Sequence, residues 1–174
     1  EGAAGQATVT NGSHAYALHR LYAVGNMSIT VVDKATGQVV PNADVTVVGP
    51  TEDGTNKQEV NTGATGTIVL KDQIIGDYTL TAEDVEDYEF YGGVSNGNLT
   101  VEKGETAEQK FEVVQTAGMT ITVVDKEDPT KPIPGATITV TDPYGKSEEY
   151  DTDNNGQVTI PNQPVGENTV VINR

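Results

Sequence analysis

The chain has no cysteine among its 174 residues, which excludes disulfide staples, thiol catalysis and thiolate metal sites. It does not place the protein inside a cell. Long apolar runs are also missing: no window approaches 18 consecutive apolar residues, so nothing reads as a membrane-spanning helix. No basic-then-apolar segment opens the sequence, so an exported protein is expected here in its mature form. Basic residues are scarce, 10 Lys and Arg against 26 Asp and Glu. The resulting net charge of −16 repels nucleic-acid phosphates and anionic lipid, so neither is an expected partner. Nucleophile motifs, Gly-rich phosphate loops and paired His ligands are absent. The expectation is a non-enzyme without a cofactor.

What is present is β-forming. Valine and threonine are abundant, with 35% hydrophobic residues, 19 Gly and 8 Pro, the composition of a globular β protein. Charge is uneven along the chain. Residues 1–25 hold only Glu1 and Arg20, residues 26–117 are net −11, and residues 118–174 are net −5. A neutral, apolar N-terminal stretch therefore precedes an acidic body.

That body repeats itself. Ser28-Ile-Thr-Val-Val-Asp-Lys34 recurs as Thr120-Ile-Thr-Val-Val-Asp-Lys126, and Val40-Pro-Asn-Ala-Asp-Val-Thr-Val47 as Ile133-Pro-Gly-Ala-Thr-Ile-Thr-Val140. Thr65-Gly-Thr-Ile-Val-Leu70 returns as Asn155-Gly-Gln-Val-Thr-Ile160, and Ile75-Gly-Asp-Tyr-Thr-Leu80 as Val165-Gly-Glu-Asn-Thr-Val170. The offset drifts only from 92 to 93 to 90, the mark of tandem units.

Each block alternates apolar and polar residues between Gly, Pro, Asn or Asp, which predicts half-buried strands joined by turns. In the first unit strands are expected near 28–33, 43–49, 58–61, 67–71, 77–83, 97–102 and 107–115. Short strands at that spacing imply a sandwich, with Ile29, Val31, Val45, Val47, Ile68, Leu70, Leu80 and Phe111 facing inward. The fold class is all-β, tandem Ig-like or prealbumin-like sandwiches. The expected organisation is an N-terminal extension over 1–25, unit 1 over 26–117 and unit 2 over 118–174. Thr169–Arg174 aligns with Thr79–Asp84, so unit 2 has no counterpart of residues 85–115 and reads as incomplete. An uncovered core and unpaired edge are states that soluble proteins avoid.

The Ile-Thr-Val-Val-Asp-Lys strand, the Pro-x-Ala-x-Val-x-Val strand, Thr-Gly-x-Ile and Gly-x-Tyr-Thr-Leu together resemble the Cna-B or SpaA-like domain. The likeness covers 26–115 well and 118–174 in part. It implies a prealbumin-like sandwich of a cell-surface adhesin or pilus, located extracellularly. Many domains of that family carry an internal Lys–Asn isopeptide bond promoted by a buried acid. By the resemblance, the lysine position is Val31 or Val123, the acid position Ala82 or Ile172, and the Asn position Gln115. No isopeptide is expected in unit 1. A Leu-Pro-x-Thr-Gly sorting motif is also absent.

Asp151-Thr-Asp153-Asn-Asn155-Gly156 matches the opening of a calcium loop, yet Asn162 stands where a bidentate Glu belongs. Unit 1 builds the same turn from Asn61-Thr-Gly-Ala-Thr-Gly66 without a carboxylate, so the two readings are a calcium site at Asp151, Asp153 and Asn155 or a plain hairpin turn. His14 and His19 lie on opposite faces of a strand and diverge on a helix, which disfavours a shared metal. The acidic run 83–89 reads as a solvated loop. Asn11, Asn26 and Asn98 head N-glycosylation sequons, which matter only in a source that glycosylates its surface proteins.

The segment Ala15–Val24 belongs to neither repeat. As a strand it carries Tyr16, Leu18, Tyr22 and Val24 on one face, with Leu21 on the other. Three readings are open: an extra strand on unit 1, a strand donated to a neighbouring molecule, or a short helix or tail. The functional expectation is the subunit of an extracellular filament or pilus that assembles as a head-to-tail homopolymer by donor-strand complementation. Alternatives are an adhesin module for host matrix or glycan, and an accessory domain of a larger surface enzyme.

Overall fold

Alternating Val, Ile and Thr cannot bury a helical stripe, but as strands they present one apolar face each. The computed structural model describes residues 8, 21–83 and 85–173, and these are nearly all β. Unit 1 holds β1 (Val24–Asp33), β2 (Asp44–Thr51), β3 (Gly54–Asn61), β4 (Thr67–Ile74), β5 (Gly76–Ala82), β6 (Tyr88–Phe90) and β7 (Asn96–Val101). The next strand, β8 (Thr106–Thr122), is 17 residues long. Unit 2 continues with β9 (Thr137–Thr141), β10 (Ser147–Asp151), β11 (Gln157–Pro164) and β12 (Thr169–Asn173).

Two sheets enclose the core of unit 1. One runs β4-β1-β8 with β6 on the far side of β8, and the other runs β3-β2-β5-β7. The β1–β8 pair is parallel, in register from Asn26↔Thr106 to Asp33↔Val113. Between the sheets lie Met27, Ile29, Val31, Val45, Val47, Leu70, Leu80, Val101, Phe111 and Val113. Of the expected inward set only Ile68 stays partly open. Met27, Tyr78, Val101 and Val113 join it.

The long strand β8 belongs to both units. Its first half is the last strand of unit 1; its second half pairs antiparallel with β11, from Thr116↔Pro164 to Thr122↔Gln157. The boundary expected at 117/118 thus falls inside a continuous strand. Facing this pair is the small sheet β10-β9-β12, and Val123, Ile138, Val140 and Ile160 are buried between them.

The repeat extends to its polar anchors. Buried Thr62 accepts the Ala43 N–H through Oγ1 at 3.0 Å, and Thr152 accepts the Ala136 N–H at 2.9 Å. Gly66 and Gly156 turn the chain at φ 64° and 68°. A Cβ at Gly66 would fall 2.7 Å from the Val39 side chain, and one at Gly156 would fall 2.6 Å from the Val123 carbonyl oxygen, so glycine is required twice over.

Candidate assembly site

By the repeat, each strand of unit 2 has a counterpart in unit 1. The β8–β11 pair corresponds to β1–β4, and β10-β9-β12 corresponds to β3-β2-β5. Among the described residues nothing corresponds to β7, which flanks β5, or to the first half of β8, which flanks β1. Among the described residues no strand pairs with the outer edge of β12, or with the side of β8 away from β11 over residues 117–122.

The open edges uncover side chains that unit 1 buries. Leu80 is 0% exposed, whereas its counterpart Val170 is 41% exposed. Ala82 is 4% exposed and its counterpart Ile172 is 53% exposed. Met27 and Ile29 are wholly buried, while Met119 and Ile121 are only partly so. Apolar side chains are thus exposed beside two strand edges that no described strand pairs, and an unpaired edge can accept an added strand through main-chain bonds.

The N-terminal candidates lie at the other end of the chain. Tyr16 and Leu18 fall outside the described residues. Leu21 is 91% exposed. Tyr22 reaches the Glu52 carbonyl through its hydroxyl at 3.5 Å. Val24 opens β1 opposite Ile74, so the first sandwich strand starts inside the stretch assigned to the extension.

The candidate calcium ligands have separate tasks. Asp153 Oδ1 accepts the Asn155 N–H at 2.8 Å and the Gln157 N–H at 2.9 Å. These bonds, first that from Gln157 and then that from Asn155, hold its carboxyl below the usual range. Asp151 instead accepts the Thr137 hydroxyl at 2.8 Å. Asp33, Asp125 and Asp142 make the same Asx turns, so Asp153 follows a local habit of this sequence. Among the described residues no three His, Asp or Glu side chains converge as a metal site would require.

Positions singled out by the resemblance are also placed. Val31 is fully buried beside Phe111, Ala82 is buried, and Gln115 is exposed opposite Tyr88. No lysine is among the buried residues described. Of the sequons, Asn11 lies outside the described residues. Asn26 is half-buried, its Oδ1 accepting the Asp72 N–H at 3.3 Å. Asn98 is exposed on β7 and accepts the Thr79 hydroxyl at 3.2 Å.

No family model matches the chain, and no curated protein matches it. Solved structures do. The TIE protein of Bacillus anthracis is 28% identical over 87% of this chain and 28% of its own, with a TM-score of 0.48. A streptococcal ancillary pilin is 13% identical over 87% of this chain and 54% of its own, with a TM-score of 0.45. The shaft pilin SpaA of Lactobacillus rhamnosus GG is 12% identical over 86% of this chain and 87% of its own, with a TM-score of 0.41. The chain thus spans about a quarter and about half of the first two. Among its described residues no helix is long and apolar enough to cross a membrane.

Where the units meet, sequence reasoning missed a cluster. Lys34 pairs with Glu112 at 2.8 Å and lies 4.0 Å above the Tyr91 ring. Tyr91 in turn meets Tyr144 of unit 2 edge-on, 5.4 Å between centroids. Hydrogen bonds from Lys34 and Lys110 hold the Glu112 carboxyl low. Apart from Lys110 with Glu112, each contact is between residues far apart in sequence, so no local pattern announces it. Two open depressions, of about 550 and 380 Å³, are lined by surface polar groups: the first by Asp44, Lys57, Glu59 and Glu83, the second by Asp87, Glu89, Thr116 and Asn162.

Proposed function

We propose that this chain is a non-enzymatic structural subunit of an extracellular cell-surface filament or pilus, assembled head to tail when one subunit's N-terminal segment completes unit 2 of the next. In family terms it is a Cna-B-like module without the isopeptide residues. One observation carries the reading: Leu80 and Ala82 are buried in unit 1, while their counterparts Val170 and Ile172 in unit 2 are open. The N-terminal segment and unit 2 are different surfaces, so the contact is heterologous and propagates as an open fibre where its rotation does not close a ring. A ten-residue strand reaches about 33 Å, enough to line a sandwich edge. Covering about 400 Å² of apolar surface contributes on the order of 10 kcal/mol before the entropy of association.

Deleting residues 1–20 is the test, because it spares Ala23, whose carbonyl accepts the Ile75 N–H in unit 1 at 3.1 Å. The truncated chain is expected to stay folded and monomeric in analytical ultracentrifugation, while the full chain forms filaments visible by negative-stain microscopy. Normal filaments from the truncated chain would sink the proposal, as would a full chain that stays monomeric at high concentration.

A further inference from the structure

Between its two cores the molecule narrows to a neck on β8. The core of unit 1 reaches along this strand to Val113, and that of unit 2 begins with Met119 packed against it. Between them Gln115, Ala117 and Gly118 are exposed. Main-chain bonds hold the neck: the Thr116 N–H to the Asp87 carbonyl and the Val165 N–H to the Gln115 carbonyl, each at 2.8 Å, and the end of the β11 ladder. A ribbon so narrow, with no apolar face of its own, resists bending weakly. A second connection crosses the joint from the other sheet of unit 2, about 10 Å from β8 as packed sheets lie. The β9–β10 hairpin turns over 142–146, where Asp142 Oδ1 accepts the N–H of Tyr144 at 2.8 Å and of Lys146 at 2.9 Å. Tyr144 sits at the tip of this closed turn. Its ring meets Tyr91 of unit 1 edge-on, 5.4 Å between centroids and 68° between planes. Lys34 backs Tyr91 at 4.0 Å from the ring centroid and is bonded to Glu112 at 2.8 Å. Lys110 holds the same carboxylate at 3.0 Å. Burial at this seat raises the Tyr144 phenol. The corresponding turn of unit 1, Glu52-Asp53, carries no ring; the aromatic tip belongs to the hairpin that faces another unit.

We infer that Tyr144 is the pin of a rigid joint: seated on Tyr91, with Lys34 behind it, it locks the two units into one stiff body, and without it they swing about the neck at residues 115–118. The continuous strand β8 fixes the spacing of the units but leaves their angle free. A contact set to one side, on a different sheet, removes that freedom, because bending one way separates the two rings and bending the other way drives them together. Each contact is modest alone. An aromatic pair and an exposed cation–π contact together shift a closed-to-bent balance by on the order of tenfold. The pin acts within one molecule, whatever joins that molecule to the next.

The lack of native cysteine allows one nitroxide to be placed in each unit, at Glu108→Cys on β8 and Glu149→Cys on β10, both exposed. Double electron–electron resonance then reads the distance between the units in the full chain. Labelled chain is diluted in unlabelled chain, so that only pairs within one molecule count. With the joint unaltered, one narrow distance peak is expected. Tyr144→Ala, and independently Tyr91→Ala from the other side of the contact, should broaden that peak at least about twofold as bent joints become populated. Tyr144→Phe keeps the ring and should leave the peak narrow. Circular dichroism first establishes that each variant is folded; if Tyr144→Ala unfolds unit 2, Tyr91→Ala decides alone. Narrow peaks in both alanine variants would overturn the pin, since the neck would then be stiff by itself. A broad peak with the joint unaltered would overturn it too, because the ring contact would not be holding. So would broadening by Tyr144→Phe as large as that by alanine.

Discussion

Phe111 is the largest side chain wholly withdrawn from water, and its ring meets Phe90 edge-on at 6.2 Å. Truncating it leaves a cavity that two sheets cannot close, so Phe111→Ala should cost about 3–5 kcal/mol in urea denaturation. Phe111→Leu should cost clearly less. Tyr150 offers a pH signature. Its hydroxyl donates to Glu148 at 2.6 Å, and that bond, followed by partial burial, pushes its phenol up to about 12. A folded-state value above the unfolded one of about 10 stabilises the protein fully below that unfolded value and is lost as pH rises toward 12. Burial raises the Tyr78 and Tyr144 phenols too, so ultraviolet titration should show late-ionising tyrosines, and Tyr150→Phe should remove the component near 12. Asp153 is already engaged by the amides of Asn155 and Gln157, so chelation is expected to leave the melting temperature unchanged. A fall of more than about 10 °C on adding EDTA would instead give calcium a structural role.

At the scale of strands, alternation made unit 1 legible wherever Val, Ile and Thr alternate with polar residues. Its strands arise near the expected positions, and Val31, Val45, Leu80 and Phe111 point inward as their period requires. Three features escaped for physical reasons. The start of β1 at Val24 is hidden because Gly25 and Asn26 interrupt the pattern. The strand β6 is only Tyr88–Phe90, set beside an acidic run, and it forms because β8 supplies its partner. The unity of β8 is masked by Thr116-Ala117-Gly118, which reads locally as a break and is held extended by β11. The exposed residues of β12 were not legible, because Val170 and Ile172 alternate like buried strand residues and only their exposures of 41% and 53% set them apart. Those exposures set the next expectation. In hydrogen exchange read by mass spectrometry, β12 should lose protection quickly in monomers and gain it in filaments, whereas β5 should be protected in both. Equal protection of β12 in the two states would mean that assembly does not use this edge.

For the whole molecule, the described residues cohere through two packed cores, strand ladders and surface ion pairs. The family's cross-link positions hold Val31, Ala82 and Gln115, so intact mass spectrometry should return the plain peptide mass apart from any glycan. A deficit of one ammonia, with a linked peptide pair across unit 1, would contradict this. How such a chain could bear load follows from the parallel pairing of β1 with β8. Tension along the chain would enter β1 at Val24 and leave the first half of β8 near Thr116, at opposite ends of paired strands. The ladder from Asn26↔Thr106 to Asp33↔Val113 is then loaded in shear, with its bonds resisting together rather than being peeled apart one after another. Pulled from both ends, unit 1 would yield abruptly at high force, like a lap joint instead of a zip.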